Sequence, residues 1–552
     1  NPMCLHPRDF SVVPEETARV ARAAFPKGNA YMTLRDELGI IYEDHAFAPL
    51  FGSPRGRPAE SPACLALVTA LQFAEDLTDR QTANAVRGRI DWKYLLGLEL
   101  TDPGFDFTLL HEFRKRLLEN EAEQKLLDEL LELLKARKLL KARGKQRTDS
   151  THVLAAIRNL HRLELVGETL RHALNSLAVV VPDWLRGQVP AEWFERYGPP
   201  FSEWRLPKSK PKRETLVEAI GQDGFLLWEM IEQSPQAELL RVVPAMETLR
   251  QVWLQQYCVE EGHPRLRKPK DLPRSRQKIV SPYDTEARFS VRRSTKWEGY
   301  RVHLTETCDA DQPLLITNVE TTTSASLDLE WTDTIHQHLQ EKELLPKEHL
   351  VDGGYVDARA LADGESIYGL DLIGPTKADG SWQARREGRY GLSSFVIDWE
   401  QEQVTCPQGQ TNLGWYPIQN PYGEPLIVAQ WATAVCRACS SRAQCVRHPK
   451  TPRSIRFHPK ERYLALQKVR KRQTTDEFKE TYAQRAGVEG TISQGTQVCG
   501  LRHCRYRGMA KTHLQHVFTA VAINLKRLAA WFEGTPRAQT RRSRFAALAL
   551  AA

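Results

Sequence analysis

The spacing of hydrophobic residues predicts α-helices over most of the first 144 residues. Leucine and valine recur at helical intervals in the stretches 65–71 and 126–134. Between them, the run 91–98 has the composition of a short packed helix that ends at Gly97. The first part of the chain is therefore predicted to be all helical.

The hydrophobic pattern changes after Gly144, where alternating and β-branched residues begin. Residues 146–154 predict a strand that carries Asp149. Further strands are predicted at 299–305, 314–320, 348–352 and 370–374, with a helix near 327–339. The turn-forming segment 309–313 indicates a hairpin, and the strand at 348–352 ends at Asp352 and a glycine pair.

Residues 158–285 return to helical spacing, with proline-rich and lysine-rich joints that indicate loops. This block interrupts the run of strands as a helical insertion. Without it, the order is a strand with an aspartate, a hairpin, a helix, a strand with an aspartate, a helix, a strand and a late helix that carries Glu489. That order predicts an α/β fold whose core is a mixed sheet of the RNase H-like type.

Composition indicates a globular protein of several domains. The 552 residues exceed the length of roughly 250–300 at which single hydrophobic cores stop growing. No apolar stretch approaches the ~20 residues that a membrane helix needs, and the first residues lack the pattern of a secretory signal. A cytoplasmic protein without a membrane partner is expected.

The formal net charge of +8 is distributed unevenly. Basic residues cluster at 499–544, 263–278 and 208–213, and the first cluster has ten lysines or arginines against one acid. Each lysine or arginine placed on a phosphate releases counterions and adds affinity that does not depend on sequence. The clusters favour a polyanionic partner, although a solvated surface or linker is the alternative for any one of them.

A late motif connects this pattern to chemistry. Tyr482, Arg485 and Glu489 are spaced by three and four residues, which places them on one face of a helix. The run resembles the Y-x2-R-x3-E signature of bacterial insertion-sequence transposases. The residues around Asp149 and Asp352 are similar to the surroundings of that family's two aspartates, so the chain resembles a DDE transposase.

The resemblance covers most of the chain. The segments 56–58, 77–80, 92–98 and 113–117 are similar to the helical domain that precedes many of these cores, 297–303 to the family's second strand, and 500–508 to its basic segment. The predicted parts are a helical DNA-binding or dimerisation domain (1–144), a catalytic core in two parts (145–400 and 451–532) with its helical insertion (158–285), a cysteine-bearing, zinc ribbon-like insertion (401–450) and a basic tail (533–552).

The resemblance implies that Asp149, Asp352 and Glu489 are catalytic and hold two Mg²⁺ or Mn²⁺ ions, with Asp149 bridging them. Such hard cations prefer oxygen ligands, and a pair of them can activate the attacking oxygen and stabilise the leaving oxygen of a phosphodiester. Isolated acids are usually surface charges, but aspartate is depleted in strands, where two of these lie. The nearby acids Asp284, Glu298, Asp309 and Asp357 are interpreted as structural or surface residues.

The family also implies partners. They are double-stranded DNA, as terminal inverted repeats and as target, and a second copy of the chain, within a bacterial nucleoid. Candidate DNA-binding residues are Tyr482, Arg485, Arg502, Arg505, Arg507 and Lys511. Arg485 is expected to contact phosphate or orient Glu489, and Tyr482 to pack against DNA or the core. The family often has a basic residue seven positions after the glutamate; this chain has Thr496, with Arg502, Arg505 or Lys511 as alternatives.

Cysteines supply a second signal. Four candidate ligands for structural zinc lie close in sequence, Cys406, Cys436, Cys439 and Cys445. The Cys-x2-Cys pair can bind one tetrahedral zinc, and Gly409 suits the knuckle that often follows a zinc thiolate. His448 could replace a missing ligand, and ordinary reduced thiols are the alternative.

Other enzyme classes find no support in the motifs. The sequence contains no HExxH, Walker or Gly-x-Ser-x-Gly pattern. Two alternatives to a transposase remain: a transposase-derived DNA-binding protein that has lost cleavage, and a zinc-ribbon regulator of transcription. The second would explain only the cysteine segment.

Overall fold

The computed structural model describes residues 3–4, 10–51, 57–448, 450–537 and 545. Most of the predicted basic tail (533–552) lies outside these residues, as does Gly56 of the segment 56–58. Within the described ranges, no helix combines the length and the apolar character needed to cross a membrane.

The first part of the chain is helical, as predicted. Its elements are β1 (Met3–Cys4), α1 (Glu15–Ala24), α2 (Ala30–Leu38), a 3-10 helix (Asp44–Leu50), β2 (Arg57–Pro58), α3 (Pro62–Ala74), α4 (Asp79–Gly88), α5 (Ile90–Leu96), α6 (Thr108–Glu119) and α7 (Lys125–Ala136). The Ser61 hydroxyl accepts a hydrogen bond from the backbone N–H of Cys64 and caps α3. α5 ends at Gly97, as its sequence predicts.

The helical insertion follows the first sheet strand. Its elements, in chain order from that strand, are β3 (Lys145–Leu154), α8 (Arg162–Val180), α9 (Pro182–Gln188), α10 (Ala191–Tyr197), a 3-10 helix (Glu203–Arg205), α11 (Lys210–Glu232), α12 (Ala237–Arg241), α13 (Pro244–Gln256), β4 (Tyr257–Glu260), β5 (His263–Leu266) and a 3-10 helix (Pro269–Asp271). The helices enclose a core of their own around Leu170, Leu227 and Trp253. The β4–β5 hairpin escaped prediction, because Pro264 and the basic residues of β5 disguise the strand pattern.

The central sheet is mixed. The elements that complete it are β6 (Arg288–Arg292), β7 (Thr295–Thr307), β8 (Ile316–Thr323), a 3-10 helix (Asp328–Trp331), α14 (Thr332–Glu341), β9 (Glu348–Val351), α15 (Ala358–Ser366) and β10 (Asp371–Ile373). The strand order is β10-β9-β3-β7-β6, and β8 also pairs with β7. β9 and β10 run parallel to β3, and β7 runs antiparallel to it.

Sheet predictions were confirmed for the hairpin β7–β8 and for β3, β9 and β10. The short strand β6 was missed, since none of its five residues is fully buried and arginine stands at both ends. The predicted strand at 348–352 is one residue too long: β9 ends at Val351, and Asp352 begins the following turn.

The cysteine segment forms a small β-unit. Its elements are a 3-10 helix (Leu392–Ser394), β11 (Val396–Asp398), β12 (Gln403–Thr405), β13 (Gly414–Gln419), β14 (Pro425–Gln430), α16 (Thr433–Ala438), α17 (Arg442–Cys445) and β15 (Ser454–Phe457). Trp431 and Phe457 are buried in its core, where the ring of Trp399 packs 5.7 Å from that of Phe457. Strand pairing therefore extends beyond the predicted limits of 401–450 on both sides.

The last part of the chain is helical. Its elements are α18 (Lys460–Arg472), α19 (Asp476–Ala483), a 3-10 helix (Gln484–Ala486), α20 (Gly487–Val498) and α21 (Met509–Phe532). The prediction of one α-helix through Tyr482, Arg485 and Glu489 was wrong, because a 3-10 turn that carries Arg485 separates α19 from α20.

The side chain of Arg147 accounts for this tight turn. Its Nη1 donates a 2.6 Å hydrogen bond to the carbonyl of Gln484. A Cβ on Gly487 would lie 2.0 Å from the same nitrogen, so only glycine admits the guanidinium here. A contact from the sheet therefore shapes the junction between α19 and α20.

One hydrophobic core joins the N-terminal helices to the sheet. α21 lies between them: the ring of Phe518 stacks on that of Phe73 in α3, with centroids 5.5 Å apart. On the sheet side, the Asn524 amide pairs with both backbone groups of Ile316, accepting at 2.7 Å and donating at 2.8 Å. The N-terminal helices are thus packed as part of the main body of the protein.

A buried carboxylate links four elements around the sheet. Glu306 on β7 is fully buried, and its Oε1 lies 2.6 Å from Nη2 of Arg147 on β3. Its Oε2 lies 2.7 Å from Nη1 of Arg527 on α21 and also accepts a hydrogen bond from Thr491 on α20. These contacts fix α20 and α21 against the strand that carries Asp149.

Replacing Glu306 with glutamine should destabilise the protein strongly. The change would leave two buried guanidinium groups without their counter-charge, which costs about 3–5 kcal/mol. Urea denaturation followed by tryptophan fluorescence would measure the loss. As a matched control, Glu365→Gln removes an exposed carboxylate 2.8 Å from Lys468 and should cost at most about 1 kcal/mol. Equal losses from the two variants would contradict this account.

Candidate active site

Sheet topology brings Asp149 and Asp352 together. Asp149 lies on β3, and Asp352 directly follows the neighbouring parallel strand β9. In the register of this pair, Thr148 is opposite Val351. Asp149 and Asp352 each directly follow one residue of this pair, and both line the same cleft.

The glycine pair after β9 shapes the turn around Asp352. The backbone N–H of Gly354 donates a 2.6 Å hydrogen bond to Oδ1 of Asp352. A Cβ on Gly354 would lie 2.7 Å from that oxygen, whereas glycine leaves the space open. The sequence Asp-Gly-Gly thus holds the carboxylate in a defined orientation at the strand end.

Arg485 connects Glu489 to this pair. Its Nη2 lies 2.6 Å from Oδ2 of Asp149, and its Nη1 lies 3.2 Å from Oε1 of Glu489. The Glu489 side chain is 65% exposed, whereas that of Asp149 is only 10% exposed. Three carboxylates from distant segments thus converge on one cleft, with one buried and one open to solvent.

Alternate residues of β3 hold the C-terminal part of the chain over the sheet. Side chains two residues apart on a strand share a face. On this face, Asp149 bonds to Arg485, and Thr151 accepts a 3.0 Å hydrogen bond from Nε of Arg502. Arg147, two residues earlier, contacts the carbonyl just before Arg485. β3 therefore holds both the 3-10 turn at Arg485 and the basic segment at Arg502 against one face of the sheet, beside the site.

The cleft has a volume of about 900 Å³. Of the predicted residues, its walls include Asp149, Asp352, Tyr482, Arg485, Glu489 and Arg502. They also include the basic side chains Arg292, Arg293 and Arg301, which the sequence interpretation did not select. The Arg-Arg pair just before the predicted second strand is a local signal for Arg292 and Arg293, whereas Arg301 lies inside that strand. The lining combines carboxylates with arginines, which suits a phosphodiester substrate bound through cations.

Burial is the main influence on Asp149. It raises the pKa of this carboxyl to about 6, although the adjacent Arg485 guanidinium acts in the opposite direction. The nearby Asp352 carboxylate contributes to this raised pKa. Two clustered carboxylates in a partly desolvated cleft call for positive charge nearby.

The three carboxylates are suitable ligands for a metal ion, but their side chains are not spaced to hold one in this structure. Carboxylate oxygens are the ligands that Mg²⁺ and Mn²⁺ prefer. In the part of the chain that the structure describes, however, no three His, Cys, Asp or Glu side chains are grouped closely enough to hold a metal ion. Guanidinium groups lie against the oxygens of Asp149, Asp352 and Glu489 instead.

The remaining predicted DNA-binding residues lie away from the cleft. Arg505 bonds to Asp76 and to the carbonyl of Leu77 (3.0 Å), and its guanidinium lies 4.5 Å from the centre of the Phe73 ring. This arginine therefore ties the basic segment to the N-terminal helices. Lys511 is exposed in the first turn of α21.

Two further predicted residues pack against protein groups. Arg507 donates a 3.2 Å hydrogen bond to the carbonyl of Ala156 and lies over the ring of Tyr283. Tyr482 is half-buried and stacks on Phe478 with ring centroids 5.7 Å apart. The Tyr482 side chain still forms part of the cleft wall.

The other nearby acids have structural surroundings. Asp284 is buried and accepts a 2.5 Å hydrogen bond from the hydroxyl of Tyr300. Asp309 accepts from the backbone of Lys145 at 3.1 Å, and Asp357 caps α15. Glu298 is half-buried, and burial raises its pKa to about 7. None of these four belongs to the cleft lining.

The four cysteines of the small β-unit line one cavity of about 30 Å³. Cys406 begins a tight turn, in which the N–H of Gly409 donates to the Cys406 carbonyl at 2.8 Å. Burial raises the pKa of Cys445 to about 11, and the other three thiols raise it further. The predicted alternative ligand, His448, does not line this cavity.

Two family models match the chain. The model described as "Transposase DDE domain" matches residues 405–529, which include the four cysteines of the small β-unit, the Glu489 helix and most of α21. The model described as "Transposase domain (DUF772)" matches residues 20–116 in the N-terminal helices. No curated protein matches the chain significantly. Asp149 and Asp352 lie outside both matched segments and join the site through the sheet.

Proposed function

Because the chain belongs to the DDE transposases of insertion sequences, we propose that it cleaves and joins DNA in the cleft lined by Asp149, Asp352 and Glu489. The observation that carries this proposal is the convergence of three carboxylates from distant segments in a cleft that also contains arginines. The substrates are terminal inverted repeats and target DNA. The mixed sheet and its helices support an RNase H-like core.

The carboxylates would hold two Mg²⁺ or Mn²⁺ ions. When bound, such ions activate an attacking oxygen and stabilise the leaving oxygen of an in-line displacement. Asp149, which bonds to Arg485 and lies near enough to Asp352 to be influenced by its charge, would hold the ions together with Asp352 and Glu489. Arg485, in contact with Asp149 and Glu489, would orient both and turn toward phosphate when cations replace it.

The reaction proceeds in two displacements at phosphorus. In the first, a water oxygen attacks the phosphodiester at the transposon end, and the 3′ oxygen leaves as a hydroxyl. In the second, that 3′-hydroxyl attacks a target phosphate and releases the target's own 3′ oxygen. Each step exchanges one P–O bond for another, so the protein supplies positioning and charge. A homodimer, which would bring two transposon ends together on nucleoid DNA, is part of the same proposal.

The substitution Asp149→Asn should abolish metal-dependent cleavage of terminal-repeat DNA. It removes one ligand charge while keeping the shape of the side chain. Cleavage would be followed on labelled duplexes with Mg²⁺, and DNA binding by gel shift should stay close to wild type.

A matched control for this test is Asp357→Asn. Its carboxylate caps α15 through the N–H of Ala360 (2.7 Å), a role that asparagine fills equally well, so cleavage should persist. Wild-type cleavage by Asp149→Asn would refute the assignment. A wild-type protein that binds repeats without cutting them would favour a DNA-binding protein that has lost catalysis.

Two arginines of the basic segment should behave differently. Arg502 lines the cleft, so Arg502→Gln should weaken DNA binding and reduce the slope of log K against log salt by about one. Arg505 contacts Asp76, so Arg505→Gln should lower the unfolding midpoint and leave the salt slope unchanged. Fluorescence anisotropy at several salt concentrations and thermal unfolding provide the two measurements. A reduced salt slope for Arg505→Gln would instead support the sequence prediction that it binds phosphate.

For the small β-unit, we propose a structural zinc held by Cys406, Cys436, Cys439 and Cys445. Their placement around one cavity, with the turn at Gly409 behind Cys406, supports this proposal, and the thiolates would have to move closer together to hold the ion. Thiolates are good zinc ligands, and a tetrahedral ion would offset the scarcity of hydrophobic core in so small a unit.

Metal analysis of the purified protein should find about one zinc per chain. Cys436→Ser should lose that zinc and lower the unfolding temperature of the β-unit, because one thiolate is removed. The control is Cys258→Ser, at a half-buried cysteine on β4 in the helical insertion, which should keep the zinc. Zinc-free wild-type protein would disprove the proposal.

A further inference from the structure

We propose that Arg292 forms an ion pair with Asp352 until DNA and divalent cations bind, and that it then contacts the scissile phosphate. In the free protein its positive charge would stand in place of a metal ion, as that of Arg485 does beside Asp149 and Glu489. This inference rests on the proposed function, because it assigns a phosphate-binding role to a residue of the same site. Arg292 ends the short strand β6, and the family signature does not include it.

The contacts of Arg292 place it over the carboxylates. Its Nη2 lies 3.2 Å from Oδ2 of Asp352, and its Nη1 lies 3.4 Å from the hydroxyl of Ser150, the neighbour of Asp149. The Arg292 guanidinium therefore neutralises Asp352, whereas the Arg485 guanidinium neutralises Asp149 and Glu489.

A guanidinium and a metal ion cannot use the same carboxylate oxygen in the same way. Oδ1 of Asp352 accepts the N–H of Gly354, and Oδ2 faces Arg292, so a cation that used Oδ2 would compete with the guanidinium. Displaced from that oxygen, Arg292 remains in the cleft wall, and its Nη2 donors become available to another acceptor. A phosphate oxygen is the partner whose geometry a guanidinium matches best.

The position of Arg292 allows this exchange. Its side chain is 44% exposed, whereas the side chain of Arg485 is only 14% exposed. It lies next to the turn of the β6–β7 hairpin, where Arg293 has a φ of +55°. An exposed arginine at a hairpin turn can change partner at little cost in packing, unlike a buried one.

The first test measures metal binding without DNA. Arg292→Gln should bind Mn²⁺ roughly three-fold more tightly than wild type, the effect of losing one partly exposed ion pair that competes with the metal. Free Mn²⁺ would be followed by electron paramagnetic resonance. The matched control is Lys296→Gln, which removes the same charge from an exposed position on the same hairpin that does not line the cleft. It should leave the Mn²⁺ affinity unchanged.

The second test measures cleavage at saturating DNA and Mn²⁺. Arg292→Gln should lower the single-turnover rate about 100-fold, the usual effect of losing one donor to transition-state charge. Arg292→Lys, which keeps the charge but not the fork of donors, should fall between glutamine and wild type. Thermal unfolding would verify that each variant is folded.

The expected result combines tighter Mn²⁺ binding with slower cleavage in the same variant. Unchanged Mn²⁺ affinity or an unchanged cleavage rate in Arg292→Gln would overturn the inference, even if Asp149→Asn confirms the transposase chemistry. Failure of the wild-type protein to cleave would count against the proposed function, and the Mn²⁺ titration would still decide whether Arg292 competes for Asp352.

Discussion

The buried carboxylate of Glu306 is the constraint on which the site depends. A charge removed from water is tolerated only where opposite charges and hydrogen bonds surround it, and Glu306 has both from Arg147, Arg527 and Thr491. These partners belong to β3, α21 and α20. Satisfying one carboxylate therefore fixes the helix of Glu489 at a set distance from the strand of Asp149.

Carboxylates also pair with arginines in the cleft, where the side chains are more exposed than around Glu306. Asp149 is buried and bonded to Arg485, whereas Asp352 contacts the more exposed Arg292 and Glu489 is largely open to solvent. Arginines balance the repulsion among the carboxylates where cations would otherwise be required. The interior network is rigid because water cannot replace its partners, and the cleft network can exchange because water, metal and phosphate can.

Two large segments outside the central sheet are also relevant to the site. The helical insertion buries its own apolar surface, so it lengthens the chain between Asp149 and Asp352 without disturbing the sheet. The N-terminal helices share a core with α21, and Arg505 ties them to the basic segment beside the cleft. The same basic segment contains Arg502, which lines the cleft.

Local patterns in the sequence determined much of this protein: the helices before Gly144, the strands around the two aspartates, the hairpin and the family signature. Each depends on residues within a few positions of one another, whose spacing alone selects helix or strand. The tertiary structure alone decided that Arg485 binds Asp149, 336 residues away, that Arg292 reaches Asp352, and that Arg505 binds Asp76 and Leu77 of the N-terminal part. It also decided the 3-10 turn at Gln484–Ala486, because the guanidinium that shapes this turn comes from a distant strand. Which remote charges pair depends on strand order and burial. The spacing of neighbouring residues determines neither of these.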